Sequence, residues 1–265
     1  MTNLITVDRT AYGYGLRQSM RTEWTKLGSV RSTTWTLLAT AVSTILVTVL
    51  ATSSFHPHGH GSLRGFDSTN QSLTGLALGQ LTIGLLGVLM ITGEYGSGTI
   101  RSSLAATPRR PLLLGAKAFV IGAVSLVVGE VLTFSCFFIG RVILSGKAPV
   151  ASIGQPGVLR ALVLSGAFLA LLGLFGLGLG VIIRHTAGAI AAFVGVVFLL
   201  PTILQSLNSF GNPSRFTPDA ILANSVAAVV PQSGQLSPMV GFLVMVLYCA
   251  VALGVGMLLL NRRDA

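Results

Sequence analysis

Charge is what this sequence has least of. Of 265 residues only 17 are Lys or Arg and 7 are Asp or Glu, 9% together, where a soluble domain carries about a quarter. That scarcity excludes a single soluble globular domain. A hydrophobic share of 52% excludes disorder, which needs low hydrophobicity and high charge. Cysteine is scarcer still: Cys136 and Cys249 both fall in apolar runs, which speaks against an extracellular disulfide or a metal site and for ordinary packing. There is no Gly-x-x-x-x-Gly-Lys-Ser/Thr phosphate loop, so the chain cannot cradle ATP by that mechanism. A Gly-x-Ser-x-Gly elbow and a His-Glu-x-x-His pair are also missing, which weakens any hydrolase reading. What remains is a polytopic membrane protein.

The charges that do occur leave long gaps. Residues 32–63, 68–93, 161–183, 185–214 and 220–261 contain none, and 118–140 contain only Glu130. A helix needs about 20 apolar residues to cross a hydrocarbon core about 30 Å thick. The gaps therefore predict spans at roughly 34–54, 73–92, 116–140, 160–183, 187–207 and 239–260. The apolar runs are continuous rather than alternating, which favours helices over a barrel. The predicted fold is all-α: residues 1–33 form an N-terminal segment, and 34–265 form one membrane domain of six transmembrane helices.

Orientation follows from the basic residues. If both termini are cytoplasmic, the inner segments hold Arg9, Arg17, Arg21, Lys26, Arg31, Arg101, Arg109, Arg110, Lys117, Arg184, Arg262 and Arg263. The outer side then holds only Arg64, Arg141, Lys147, Arg160 and Arg215. The first 33 residues are too long and too basic for the n-region of a cleavable signal peptide, so they are read as retained. A net charge of +10 could suggest nucleic acid. Here the positive charge gathers at span ends, where anionic lipid and the insertion machinery account for it, and no nucleic-acid partner is expected.

Two inner segments stand out. Leu16, Met20, Trp24 and Leu27 recur at helical spacing while Arg17, Arg21 and Lys26 project elsewhere, predicting an amphipathic helix lying in the interface. It either anchors the first span or contacts a partner. The loop from Gly93 to Arg110 has glycines at 93, 96 and 98 for a sharp exit from the membrane. A short helix is predicted over 99–106, stopped by Pro108. Such a helix between two spans is either a docking element or a basic connecting loop.

From Thr92 to Lys117 the chain resembles the first intracellular loop of the ABC-2 type permeases, the membrane subunits of ABC exporters, and their actinobacterial branch in particular. Glu94, Gly98, Thr99, Ile100, Arg101, Leu104, Ala105, Pro108, Arg109 and Lys117 carry the likeness. So do Glu23-Trp24-Thr25-Lys26-Leu27, Ser29-Val30-Arg31-Ser32, the turn from Arg184 to Ile190, Pro201, Val230-Pro231 and Gly234-Gln235. The resemblance implies a coupling helix in the 93–110 loop, seated in a cleft of a separate ATPase subunit, with the 14–31 helix beside it. It also implies two permease chains, alike or different, working with two ATPase chains that bind the ATP and Mg, in a bacterial plasma membrane. Thr217-Pro218-Asp219 is a good helix start, and 220–230 is then either the short outer helix near the exit in such permeases or a plain loop helix.

Other candidates are weaker. His56, His58 and His60 could hold Zn or Cu, but flexible neighbours and missing carboxylates favour an adventitious His-rich loop. Gly176 and Gly180 form a Gly-x-x-x-Gly step suited to close helix packing. Glu130, the one acid well inside a span, serves a proton or substrate, or makes an interhelical hydrogen bond as a neutral acid. The expected function is a permease subunit exporting a hydrophobic or amphipathic substrate, with no catalysis of its own. A proton-coupled secondary transporter using Glu130 is the alternative.

Overall fold

The structure is a computed structural model, described here for residues 15–29, 31–56, 66–106, 109–206, 213–228 and 234–262. All regular structure among them is helical. Among the described residues six helices or helix pairs are long and apolar enough to cross a membrane: α2 (Arg31–Ser53), α4 (Leu76–Gly96), α6 (Arg110–Leu144), α7 (Val158–Ile183), the pair α8 (Thr186–Val194) and α9 (Leu200–Ser206), and α11 (Pro238–Arg262). Shorter helices flank them: α1 (Leu16–Ser29), α3 (Ser68–Ser72), α5 (Ile100–Ala106) and α10 (Pro218–Ser225).

The centre of the bundle is α7, which packs against α4, α6 and α11. Its small residues make this possible. A Cβ on Gly176 would stand 2.2 Å from the Gly84 carbonyl oxygen, and one on Gly87 would stand 1.9 Å from that of Gly173. Backbones this close need glycine on both sides, the packing mode of membrane helices, which lack a hydrophobic drive between them. Gly180 meets Ile91 and Val88 in the same seam. On α2 the inward face is a row of fully buried threonines, Thr40, Thr44, Thr48 and Thr52, while Leu38, Val42, Leu46 and Leu50 point outward. Gly75, at the N-cap of α4, lies against Thr44 and Thr48, and Gly79 lies against Thr44.

The fifth crossing is not one regular helix. Residues Gly195–Leu199 form a π turn, in which the Leu200 amide donates to the Gly195 carbonyl. Pro201 follows directly. Its ring has no N–H to give and clashes with the carbonyl four residues back, so the preceding turn widens. α6 is longer than a crossing requires: its 35 residues span about 52 Å, against a hydrocarbon core of about 30 Å.

The chain ends its crossings in two differently built layers. One, the α1 end, collects α1, α5, the starts of α6 and α8, and the C-terminal ends of α4, α7 and α11. The other, the α3 end, collects α3, α10, the C-terminal end of α6 and the starts of α4, α7 and α11. There Asp67 caps α3, accepting from the Thr69 amide at 2.9 Å and the Asn70 amide at 3.2 Å, while its other oxygen accepts from the Ala228 amide at 2.6 Å. α10 departs from the sequence expectation. It ends at Ser225, and Thr217 makes no side-chain cap but donates its hydroxyl to the Ser214 carbonyl at 2.7 Å. Asp219 instead accepts from Gln80 Nε2 at 3.1 Å, tying α10 to α4.

Candidate functional site

At the α1 end four charged side chains from three helices meet. Lys117, near the start of α6, donates to Glu23 Oε2 of α1 at 2.6 Å and to Glu94 Oε1 of α4 at 2.7 Å. Lys26 of α1 donates to Glu23 Oε1, Glu94 Oε1 and the Ser103 hydroxyl of α5, each at 3.1 Å. Two carboxylates and two ammonium groups make the cluster neutral. Its centre is dry: Lys117 is 1% exposed and Glu23 3%. Lys26, 41% exposed, forms the rim. Burial works to lower the Lys26 pKa, but attraction to Glu23 and then Glu94 outweighs it and holds the ammonium above the ordinary lysine value.

Local sequence puts each group in place. Glu23 and Lys26 are one helical turn apart and share a face of α1. Lys117 follows Leu113 and Leu114, both buried, and so is drawn below the surface with them. Glu94 sits in the last turn of α4, where no intrahelical partner satisfies its second oxygen; that atom is buried and unpartnered among the described residues. A buried charge pair of this kind adds little net stability, yet it costs a great deal to break from one side, so it fixes a unique arrangement of α1, α4 and α6.

α5 hangs from this lock. Ile100 is buried and Leu104 half-buried against Leu86, Ile91, Leu113 and Leu114, while Ser103 touches Lys26. Arg101 is exposed, and Thr99 and Ser102, also exposed, line with Ser103 the cleft beside Glu23, Lys26 and Glu94. Gly98, at φ +71°, makes the left-handed turn from α4 into α5 that a side chain would strain. Arg109 is exposed and sits at the N-cap of α6 in extended backbone. Pro108 lies outside the described residues, as do His58 and His60. His56 Nδ1 is 2.9 Å from the Ser54 carbonyl, and no metal-sized group of ligands occurs among the described residues.

Two arginines close the same end. Arg110 donates to the Leu260 and Asn261 carbonyls, and Arg184 donates to Leu259 at 3.2 Å while its guanidinium lies 5.3 Å from the centre of the Tyr95 ring. Both thus bond to carbonyls in the last described turn of α11.

α1 itself turns a polar face inward. Ser19 and Glu23 are its buried residues, whereas Leu16 and Trp24 are exposed. Arg17 and Arg21 are exposed as well. Sequence reasoning placed Glu94, Lys26 and the α5 residues in one region but did not single out Glu23 or Lys117 as a buried pair. The signal was available. With seven acids in the chain, a Glu three residues from a Lys, and a lysine several residues into an apolar run, each need a partner. No protein-family model matches this chain, and no curated protein matches it.

Proposed function

We propose that this chain is the membrane-spanning permease subunit of an ATP-driven exporter, moving a hydrophobic or amphipathic substrate with energy from a separate ATPase. The observation that carries this reading is α5. It is a short amphipathic helix held at the bundle edge by apolar contacts and, through Ser103 and Lys26, by a buried ion lock, and it leaves Arg101 exposed. A helix docked on a partner must be rigid if force is to pass through it, and the lock joins it to α1, α4 and α6 at once. In this reading both termini and α1 face the cytoplasm, in keeping with the basic residues gathered at that end. The membrane is a bacterial plasma membrane, and a second permease chain completes the path.

The test is co-expression with candidate ATPase subunits, followed by co-purification and measurement of substrate-stimulated ATP hydrolysis. Turnover that depends on this chain and falls in Arg101→Ala supports the proposal. Transport by the chain in vesicles with no ATPase present sinks it, and leaves the proton-coupled alternative.

A further inference from the structure

Glu130 stands apart from every other charge among the described residues. It lies 13 positions after Lys117 and 11 before Arg141 on the same helix, about 20 Å from one and about 16 Å from the other. It is therefore near mid-depth of a core about 30 Å thick. It is partly exposed and makes no hydrogen bond or ion pair with any described residue. The sequence left an interhelical hydrogen bond open as its role, and the structure contains none among those residues.

Its surroundings are specific. A Cβ built on Gly166 of α7 would come within 2.5 Å of the Glu130 carboxyl carbon and 2.7 and 2.8 Å of its oxygens. The carboxyl thus rests on bare backbone in the seam between α6 and α7. At Gly129 the two helices touch directly, a Cβ there meeting the Gly166 carbonyl at 2.6 Å. Within one helical turn of Glu130 on α6 and of Gly166 on α7, Val127, Val131 and Val163 are exposed, at 63%, 60% and 45%. One acidic group thus sits, partly exposed, in an α6–α7 seam flanked along both helices by exposed apolar side chains.

From this we infer that the α6–α7 seam is a binding site for lipophilic monocations reaching it from the bilayer, with Glu130 as the charge-recognising group. Lipid ammonium groups stay at headgroup depth, so they do not supply the cation at this level. An aromatic or quaternary cation that partitions into the hydrocarbon does. Its apolar body would cover the exposed valines while its charge neutralises the carboxylate, and each partner removes the other's reason to leave. As the site of a transported substrate this rests on the permease reading; as a binding site it does not.

The experiment uses the full chain in lipid nanodiscs and measures equilibrium binding of tetraphenylphosphonium beside the neutral triphenylphosphine oxide, with no ATPase present. The expected result is saturable cation binding, weakened at least tenfold in Glu130→Gln, retained within about threefold in Glu130→Asp, and weakened in Gly166→Ala, whose methyl would displace the carboxyl. The neutral compound should bind all four proteins alike. A second readout needs no variant: saturating tetraphenylphosphonium should protect Glu130 from dicyclohexylcarbodiimide, scored by mass spectrometry. Equal cation binding by wild type and Glu130→Gln, or labelling that the cation does not change, overturns the inference. Neither outcome bears on whether α5 couples to an ATPase, which is read separately.

Discussion

The two ends of this bundle are closed by different chemistry. At the centre of the α1 end, side chains bond to side chains: Glu23, Lys26, Glu94 and Lys117 come from α1, α4 and α6 and depend wholly on one another's identity, with Arg110 and Arg184 giving to backbone carbonyls only beside that centre. At the α3 end, side chains bond mostly to backbone. Asp67 takes the Ala228 amide, Arg160 gives to the Ala227 carbonyl at 2.7 Å, Lys147 to the Ser53 carbonyl at 2.7 Å, and Gln71 to the Ala51 carbonyl at 3.0 Å. A backbone group is present whatever residue carries it, so the α3 end tolerates change around each anchor. The α1 end tolerates none at its centre, because a lone buried charge has nowhere to go. The lesson is that the α1 end is built for one fixed arrangement and the α3 end for closure.

The sharpest way to break this contrast is Lys117→Met. It leaves Glu23 buried with only Lys26 for a partner, and the expected loss is about 3 to 5 kcal/mol. It should appear as a large drop in the thermal unfolding midpoint in a fixed detergent. Adding Glu23→Leu should recover part of the loss, since apolar replacement of a whole pair is often tolerated. If Lys117→Met unfolds like wild type, the lock does not exist as described.

Asp67→Ala comes next. It removes the α3 cap and leaves the Ala228 amide without its acceptor, for an expected cost of about 1 to 3 kcal/mol. Amide exchange should quicken at residues 226–228 and in α3 while α1 and α5 stay protected. Loss of protection at the α1 end as well would mean the two layers are not independent.

Much of the fold was legible in the sequence because a membrane helix announces itself by what it omits. Six uncharged or nearly uncharged stretches became six crossings, since each had to satisfy its backbone internally. Details governed by single contacts were not legible. α10 stops at Ser225, and Thr217 bonds to the preceding turn rather than to the helix; neither follows from a Thr-Pro-Asp string. The π turn before Pro201 depends on how one ring is accommodated within the fifth crossing. At the candidate site the exposed members, Arg101 and Thr99, were evident from their loop, but the burial of Glu23 was not. The hydrophobic stripe on α1 pointed to Leu16 and Trp24 as a face toward the membrane interface and said nothing of the opposite, polar face, which the Lys117 ammonium on α6 holds inward through Glu23.

Lys26 tests the rim of the lock. Being 41% exposed, it shares its ion pairs with solvent, and Lys26→Ala should cost less than about 1 kcal/mol. The pH dependence has a definite sign. A raised lysine pKa contributes stability that is fully present below the ordinary value of 10.5 and is lost only as pH climbs through the higher folded value. Docking of α1, followed by Trp24 fluorescence, should therefore be flat from neutral pH to about 9 in wild type.

Arg101→Ala should have the smallest effect on folding and the most informative one on function. The side chain is exposed, takes part in no described hydrogen bond or ion pair, and sits one residue past the buried Ile100 that seats α5. Its removal should change stability by no more than about 0.5 kcal/mol, the usual range for a surface site. Guanidinium is, however, the group best suited to a planar, multiply bonded contact with a partner's carboxylates or carbonyls. If α5 docks on an ATPase, Arg101→Ala should purify as wild type does, keep its thermal midpoint, and lose most of the partner's substrate-stimulated turnover. Arg101→Lys should restore little, because charge alone does not reproduce the fork. Unchanged turnover in both variants would separate the two properties of this end: the lock would remain a structural device, and α5 would no longer be the place where force enters the bundle.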